Sequence, residues 1–229
     1  MNGIAFVGSI IVDNVKTVES WPERGMLSRV LRMERSLGGL VSNTAIYLKT
    51  LDPSVDVCAV GCVGSDEPGE FAVSTLSSRG IDVSRVRRVD GPTSFTDVMT
   101  LADTGERTFF NMHGADSQLV PDDIDPAKLD CDIFHFGYLL LLDGMDAIDE
   151  EYGTAAARLL AKVRAAGIKT SIDIVSEQSE RFARVVRPAL KYCDYVVINE
   201  VEGGLATGLS ALDGNGRVTE SNLRRICEA

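Results

Sequence analysis

The chain has 229 residues, of which 45% are hydrophobic and 25% are charged, and its formal net charge is −11. This composition is ordinary for a globular protein with a sizeable core. The acidic balance argues against binding to a nucleic-acid backbone, which needs a basic excess, but a small anion held by local groups stays possible.

The cysteines and the apolar runs indicate the surroundings of the protein. The five cysteines contain no CxxC pair and are odd in number, which predicts free, buried thiols in a reducing, cytoplasmic compartment. The N-terminus MNGIAFVGSIIVD lacks a basic region before its apolar run, so we interpret it as a strand and not as a signal peptide. The longest apolar run, residues 133–142, is too short to span a bilayer. We therefore expect no membrane partner.

The first apolar run, residues 4–12, predicts a buried strand that Asp13 directly follows. Open α/β proteins bind their ligands outside the carboxyl ends of the strands. Asp13 is therefore a candidate ligand-binding acid, and a carboxylate in an ordinary surface loop is the alternative explanation.

A glycine pair then precedes a short helical pattern. Gly38 and Gly39 come just before it, and Asn43 can cap its start. Paired glycines allow positive φ and close approach of another group, and a helix N-terminus can hold a polar ligand. A tight turn before a capped helix explains the same residues without any ligand.

The rest of the chain alternates between strands and helices. Residues 57–63 predict a further buried strand, and later segments continue the pattern. The predicted helices are 68–79, 150–166 and 177–191, with a short one near 199–207 and one from Thr219, and the predicted strands are 131–136, 168–174 and 194–198. Such alternation predicts an α/β fold with a mostly parallel sheet and helices on both faces.

Two segments do not fit this alternation. Residues 14–36 and 93–112 have the pattern of short strands, and ADTGE at 102–106 reads as the turn of a hairpin. We expect these strands to lie outside the main sheet. His113 and His135 have no cysteine or acid nearby at ligand spacing, so we interpret both as structural.

Asn199 and Glu202 follow the last predicted strand of the sheet. Oxygen ligands at this place can organise Mg²⁺ and its waters against phosphate oxygens. The alternative is an acidic first turn of a helix, which the helix dipole favours.

These motifs resemble, in the same chain order, those of the ribokinase-like (PfkB) carbohydrate kinase family. The family's Gly-Gly pair followed by Asn matches Gly38, Gly39 and Asn43, and its Val-Gly-x-Asp-x-x-Gly turn matches residues 63–69. Its Asn-x-x-Glu motif matches Asn199 and Glu202. Asp173 matches a family acid, but the residues after it depart from the pattern, so we leave it out of the predicted site.

The resemblance implies an ATP-dependent sugar kinase that transfers the γ-phosphoryl of ATP to a hydroxyl of a monosaccharide or sugar acid. Asp13, Gly38, Gly39 and Asn43 would bind the sugar. Asn199 and Glu202 would serve the ATP phosphates, with Glu202 also holding Mg²⁺. The segments 14–36 and 93–112 would form a small β lid through which two copies pair as a homodimer. A nucleoside kinase of the same fold and a non-catalytic ligand-binding or regulatory protein on a kinase scaffold stay open.

The family's second signature, a Gly-Ala-Gly-Asp turn that supplies the general base, does not occur in the 229 residues. The nearest sequence, Asp-Gly-Asn-Gly at 213–216, has the wrong order. We therefore expect residues 1–229 to be one ribokinase-like α/β domain that is incomplete at its C-terminus. The base is expected beyond Ala229, and this chain alone is expected to be inactive.

Overall fold

The computed structural model describes residues 3–177 and 179–229. The strands are β1 (Gly3–Gly8), β2 (Ile11–Val18), β3 (Val30–Gly38), β4 (Asp56–Gly64), β5 (Asp82–Val89), β6 (Phe95–Leu101), β7 (Arg107–Met112), β8 (Ile133–Leu139), β9 (Ile148–Asp149), β10 (Gly153–Thr154), β11 (Lys169–Ile174) and β12 (Tyr195–Val197). The helices are α1 (Gly39–Leu51), α2 (Glu67–Ser78), α3 (Asp143–Asp146), α4 (Ala155–Ala165), α5 (Phe182–Leu190), α6 (Glu200–Thr207) and α7 (Glu220–Glu228).

Six parallel strands form the large sheet, in the order β12-β11-β8-β1-β4-β5. Successive side chains of a strand point to opposite faces. Phe6 of β1 therefore packs with the apolar residues of α1 and α2, whereas Ala5 and Val7 pack with those of α4 and α5. The predicted α/β fold with a parallel sheet between helices is confirmed.

The small sheet has four strands, in the order β3-β2-β6-β7. Strand β2 runs antiparallel to β3 and parallel to β6, and β6 and β7 form an antiparallel hairpin. The strands come from the two segments that the sequence places outside the main sheet. The backbone enters the small sheet after Ile10 and after Ser94, and it leaves at Gly38 and after Met112.

The prediction of one strand over residues 4–12 is wrong, because that run divides between the two sheets. Strand β1 ends at Gly8, whose φ is 136°. A side chain at Gly8 would overlap the carbonyl of Gly137 in the neighbouring strand. Ser9 and Ile10 lie outside both strands, and β2 begins at Ile11. A glycine at this position lets the chain turn out of the large sheet.

Two helices begin later than predicted. The predicted helix 150–166 begins at Ala155, because the Thr154 hydroxyl accepts from the backbone N–H of Ala157 at 3.2 Å and caps it. Residues just before the cap form the short β9-β10 pair instead. The predicted helix 177–191 is observed as α5 from Phe182, and Gln178 of that range lies outside the described residues.

Strand β5 was not predicted. Its sequence, DVSRVRRV, carries three arginines, and it forms the edge of the large sheet beside β4. A strand at the edge of a sheet is partly exposed to solvent and tolerates charged side chains. These charges interrupt the apolar pattern by which a strand is predicted from the sequence.

All five cysteines are free thiols. Cys62 is buried, Cys58, Cys131 and Cys193 are half-buried, and Cys227 is exposed, so full burial is confirmed only for Cys62. In the described part of the chain, no helix combines the length and the apolar character that crossing a membrane requires.

Candidate active site

Several polar residues collect at the edge of the large sheet where the parallel strands end. Tyr138 is the second-last residue of β8, Asp173 is near the end of β11, and Asn199 lies just beyond β12. Burial raises the pKa of the Tyr138 hydroxyl, and the nearby charges of Asp173, Asp13 and Glu202 add to the effect. These side chains therefore share one electrostatic environment, although they are far apart in the sequence.

Gly38 and Gly39 are required because other parts of the chain leave no space for a side chain at either position. A Cβ at Gly38 would overlap the carboxylate of Asp13. Gly39 has a φ of 79°, and a Cβ there would lie 2.5 Å from the carbonyl oxygen of Ser9. The missing side chains let Asp13 lie directly over the start of α1.

Asn43 does not cap this helix, contrary to the prediction. Helix α1 begins at Gly39, with Gly38 as its N-cap, so Asn43 lies in the second turn. Ser9 takes over the capping from another segment: its hydroxyl accepts from Leu40 N–H at 3.1 Å and its carbonyl from Val41 N–H at 3.2 Å. These two amides are therefore not free to hold a ligand.

Asp13 is held by a short chain of hydrogen bonds across the small sheet. The Thr96 hydroxyl bonds to the Asp13 carboxylate, and it accepts from the side-chain amide of Asn111 at 3.0 Å. Burial raises the pKa of Asp13, and the bond from Thr96 partly offsets this effect. Because the adjacent strand β6 supplies Thr96, the orientation of Asp13 depends on the pairing of the small sheet.

Asn43 instead faces the site from the side of α1. Its side chain bonds to the Tyr138 hydroxyl and lowers the pKa of that group against the effect of burial. Tyr138 is half-buried at the end of β8. Tyr138 was not predicted as a site residue, because a tyrosine within an apolar run carries no local sequence signal of a ligand contact.

Asn199 and Glu202 form a reciprocal cap of α6. The Asn199 side-chain oxygen accepts from the N–H groups of Val201 and Glu202 at 2.9 Å each. Glu202 Oε2 accepts from Asn199 N–H at 3.0 Å, and Oε1 accepts from the Ser176 hydroxyl at 2.6 Å. Glu202 is only 5% exposed. The alternative explanation, that these residues form the first turn of a helix, is therefore correct as far as capping is concerned. The hydrogen bonds of the cap use most of the acceptor sites of the Glu202 carboxylate.

Asp173 lies beside this cap. Burial raises its pKa to about 6, and the negative charge of Glu202 contributes to the increase. Two neighbouring carboxylates suit a hydrated Mg²⁺, which binds through one or two carboxylates and keeps several waters. Among residues 3–177 and 179–229, no group of three or more His, Cys, Asp or Glu side chains is placed to hold a metal. Any Mg²⁺ here would therefore depend on Asp173, Glu202, water and phosphate.

The remaining sequence candidates have structural partners. His135 Nδ1 lies 2.8 Å from the Ser171 hydroxyl in the adjacent strand, and burial lowers the pKa of this histidine to about 4. The carboxylate of Asp213 accepts from Asn215 N–H at 2.8 Å and from Arg217 N–H at 3.0 Å. The Asp-Gly-Asn-Gly sequence is therefore a surface turn closed on itself.

The glycine pair, the acid above it and the polar residues at the strand ends define a ribokinase-like α/β domain. The chain belongs to the pfkB family of carbohydrate kinases, whose family profile matches residues 1–222.

Curated relatives carry the names of sugar and nucleoside kinases. Fructokinase of Escherichia coli is 28% identical over 181 residues, which is 77% of this chain and 57% of the relative. ATP-dependent ribose-1-phosphate kinase of Halopiger xanaduensis is 28% identical over 53% of this chain and 40% of the relative. Aminoimidazole riboside kinase of Salmonella typhimurium is 30% identical over 46% of this chain and 33% of the relative. The matches thus span between a third and somewhat over half of these relatives.

Solved structures show the same fold over the whole chain. The ribokinase of Arabidopsis thaliana, complexed with ribose and ATP, superposes with a TM-score of 0.75 at 19% identity, over 100% of this chain and 69% of that one. The ribokinase of Thermotoga maritima gives a TM-score of 0.72 at 19% identity, with the same coverage. At this identity the likeness establishes the fold alone.

Proposed function

We propose that this chain carries the sugar-binding part of an ATP-dependent kinase that phosphorylates a hydroxyl of a monosaccharide or sugar acid. The observation that supports this most is the Asp13 carboxylate, which lies against Gly38 where no other residue would leave room for it. Phosphoryl transfer needs little covalent chemistry from the protein, so positioning and charge stabilisation supply most of the catalysis.

At the sugar end, Asp13 accepts hydrogen bonds from substrate hydroxyls. The glycine pair leaves space for the sugar beside it, and Asn43 donates or accepts through its amide. Tyr138 joins these residues because it bonds to Asn43 and senses the charge of Asp13. Such pairing of hydroxyls with buried polar groups gives both affinity and selectivity, since a lost partner leaves a desolvated group unpaired.

At the phosphate end, the proposal assigns Asn199 and Glu202, at the start of α6, to the ATP phosphates. Because the two side chains cap each other, we propose that Glu202 acts with Asp173 on the waters of Mg²⁺. The metal would neutralise charge on the transferred phosphoryl group. ATP is the expected phosphoryl donor, and the general base is expected from outside residues 1–229.

The small sheet is proposed to act as the lid over the sugar and as the surface that joins two copies. It carries Asp13 on β2 and the supporting Thr96 on β6. Its exposed side includes Trp21, which stacks on Phe110 at a ring separation of 6.3 Å. The free thiols fit a reducing, cytoplasmic setting.

Two alternatives keep specific support. A nucleoside kinase is favoured by the aminoimidazole riboside kinase relative at 30% identity. A non-catalytic ligand-binding or regulatory protein is favoured by the absence of a Gly-Ala-Gly-Asp turn from the 229 residues.

A thermal-shift screen of neutral sugars, sugar acids and nucleosides separates these possibilities. A sugar or sugar acid that raises the melting temperature of the wild type, but not that of Asp13→Ala, supports the sugar kinase. Stabilisation by nucleosides alone supports the nucleoside kinase. Binding without ATP turnover in the complete protein supports the regulatory alternative.

A further inference from the structure

Asp116 is a buried acid that the proposed catalytic roles do not use. It lies in the 3-10 turn Ala115–Gln118, shortly after β7 leaves the small sheet. Asp116 is only 2% exposed. A carboxyl group buried to this degree is costly unless its hydrogen bonds are satisfied.

The hydrogen bonds of Asp116 converge on the places where the chain crosses between the sheets. Its Oδ1 accepts from the backbone N–H of Ile10 at 3.2 Å, immediately before β2. Its carboxyl also bonds to the hydroxyl of Ser94, immediately before β6. The Ser94 oxygen accepts from Gly114 N–H and from Asp116 N–H at 3.1 Å each, just after β7. Three of the four crossings therefore meet at one carboxyl and one hydroxyl.

We propose that Asp116 is a positioning residue: its carboxyl, with the Ser94 hydroxyl, forms the hinge that sets the small sheet, and with it Asp13, against the large sheet. The small sheet has its own hydrogen-bonded strands, so it moves as a unit about these crossings. That this movement would change sugar binding through Asp13 rests on the proposed function. The hinge itself is testable without any substrate.

Burial raises the pKa of Asp116 to about 8, which makes the hinge depend on pH. The titratable group facing it is Cys62 of β4, whose pKa burial raises to about 11. Strand β5 and helix α3 also pack against the turn, and their charged groups have partners of their own. On α3, Asp146 accepts from Leu140 N–H and Asp143 lies beside His113. On β5 the pairs are Arg87 with Asp123, Arg88 with Glu70, Arg85 with the Lys128 carbonyl and Asp82 with Ser84. Asp56 and Cys58 lie at the other end of β4 from Cys62.

The direction of the pH effect follows from linkage. The closed hinge keeps Asp116 protonated up to about pH 8, whereas an exposed aspartate ionises near pH ~4. Each pH unit between these values therefore favours the opened hinge by up to about tenfold. The stabilisation is fully present at low pH, falls as the pH rises, and changes no further above about pH 8.

Hydrogen exchange of the full chain, measured by mass spectrometry without ligand, tests the hinge. Wild type and Asp116→Asn are compared at about pH 5.5 and at about pH 7.5, so that the intrinsic pH dependence of exchange cancels between them. The uncharged asparagine still accepts from Ile10. We expect the wild-type to variant ratio of exchange at the crossings, in peptides that contain the amides of Ile10, Gly114 and Asp116, to rise up to about tenfold per pH unit, with no change in β4 or β11.

A ratio that stays constant, or that rises equally at the crossings and in the large sheet, would overturn the proposal, because a purely structural role loosens the whole fold. Asp130→Asn removes an exposed acid and should keep the wild-type pH dependence. If Asp116→Asn does not fold, Ser94→Ala provides the second test. It should speed exchange of the Gly114 and Asp116 amides at both pH values, because it removes their acceptor, and unchanged exchange there would contradict the hinge. If the exchange results are as expected but the wild type binds no sugar, the proposed function is contradicted and the hinge is not.

Discussion

At the scale of single residues, Asp13 connects the two sheets to the proposed sugar site. It belongs to the small sheet, lies over the first residue pair of α1, and is held by Thr96. A half-buried carboxylate in such surroundings has few water molecules to replace a lost partner. Substrate hydroxyls that bond to it should therefore contribute strongly to binding.

Replacing Asp13 by alanine tests this role directly. We expect Asp13→Ala in the complete protein to keep its fold and to lower the kcat/KM for the sugar by roughly 5- to 150-fold, because a group left unpaired in a buried site costs about 1–3 kcal/mol. The steady-state kcat/KM of purified enzyme is the measurement. Asp103→Ala, an exposed acid in the β6-β7 turn, is the matched control. A kcat/KM of Asp13→Ala near that of the wild type would remove Asp13 from the site.

Gly38 provides a steric test of the same contact. A methyl group in Gly38→Ala would collide with the Asp13 carboxylate, so the acid has to move and the KM for the sugar should rise at least as much as for a lost hydrogen bond. Gly214→Ala places its methyl group in open space and should leave the KM unchanged. Equal KM values for the two variants would show that Asp13 is not fixed at this position.

At the scale of elements, the start of α6 combines an observed cap with a proposed phosphate site. Asn199 and Glu202 satisfy each other and the first N–H groups of the helix, and the same residues face the proposed phosphate site. The structure therefore supports the capping explanation that the sequence analysis left open, and it leaves the phosphate role as a proposal. Mutations here change stability and function together unless the cap is preserved.

A pair of substitutions separates the two functions. We expect Asn199→Ala to lower the free energy of unfolding by about 1 kcal/mol, because it removes a helix cap. Asn199→Asp keeps a capping oxygen and should be closer to the wild type in stability. Both are measured by urea unfolding, and Thr219→Ala, the cap of α7, gives the reference loss for a cap. An Asn199→Ala variant as stable as the wild type would contradict the capping role.

At the scale of the whole molecule, the small sheet exposes apolar side chains that the large sheet does not cover. Met33 is 71% exposed and Phe110 is 52% exposed. Exposed apolar side chains grouped on one surface often mark a protein–protein contact. A second copy of the chain would bury these residues.

We therefore expect the complete protein to be a homodimer that pairs through segments 14–36 and 93–112. Multi-angle light scattering at micromolar concentration measures its mass. Phe110→Glu should shift the population toward monomer, while Tyr47→Glu, an exposed aromatic of α1 outside the small sheet, should not. A wild-type monomer at that concentration would decide against this pairing.

A further whole-molecule prediction concerns activity. Residues 1–229 expressed alone should have no detectable sugar kinase activity, because they contain no Gly-Ala-Gly-Asp turn to supply the base and the anion hole. A general base contributes about 10²–10⁴-fold in rate, and an anion hole about 10²–10³-fold. ATP turnover is compared with that of the longer chain at equal concentration. Turnover within about tenfold of the longer chain would place the base inside these residues.

Features that depend on neighbouring residues could be predicted from the sequence. The alternation of apolar periods defines the α/β class, and the glycine pair with the following motifs indicates the family. The glycine-based turns and the β6-β7 hairpin are equally local. The first residues of helices are harder to predict, because several residues before each helix could act as the cap. Gly38 and Thr154 are the caps that the structure shows for α1 and α4.

Contacts between segments that are far apart in the chain could not be predicted in this way and are seen only in the folded protein. Ser9 caps α1 from 31 residues away, so Asn43 is released to face Tyr138. Tyr138 and Asp173 join the site because β8 and β11 are neighbours in the large sheet. Asp116 meets Ile10 across 106 residues, and its burial follows from packing that no local pattern encodes. Periodicity along the chain predicts which face of an element is buried, but the partner on that face depends on the topology of the whole fold.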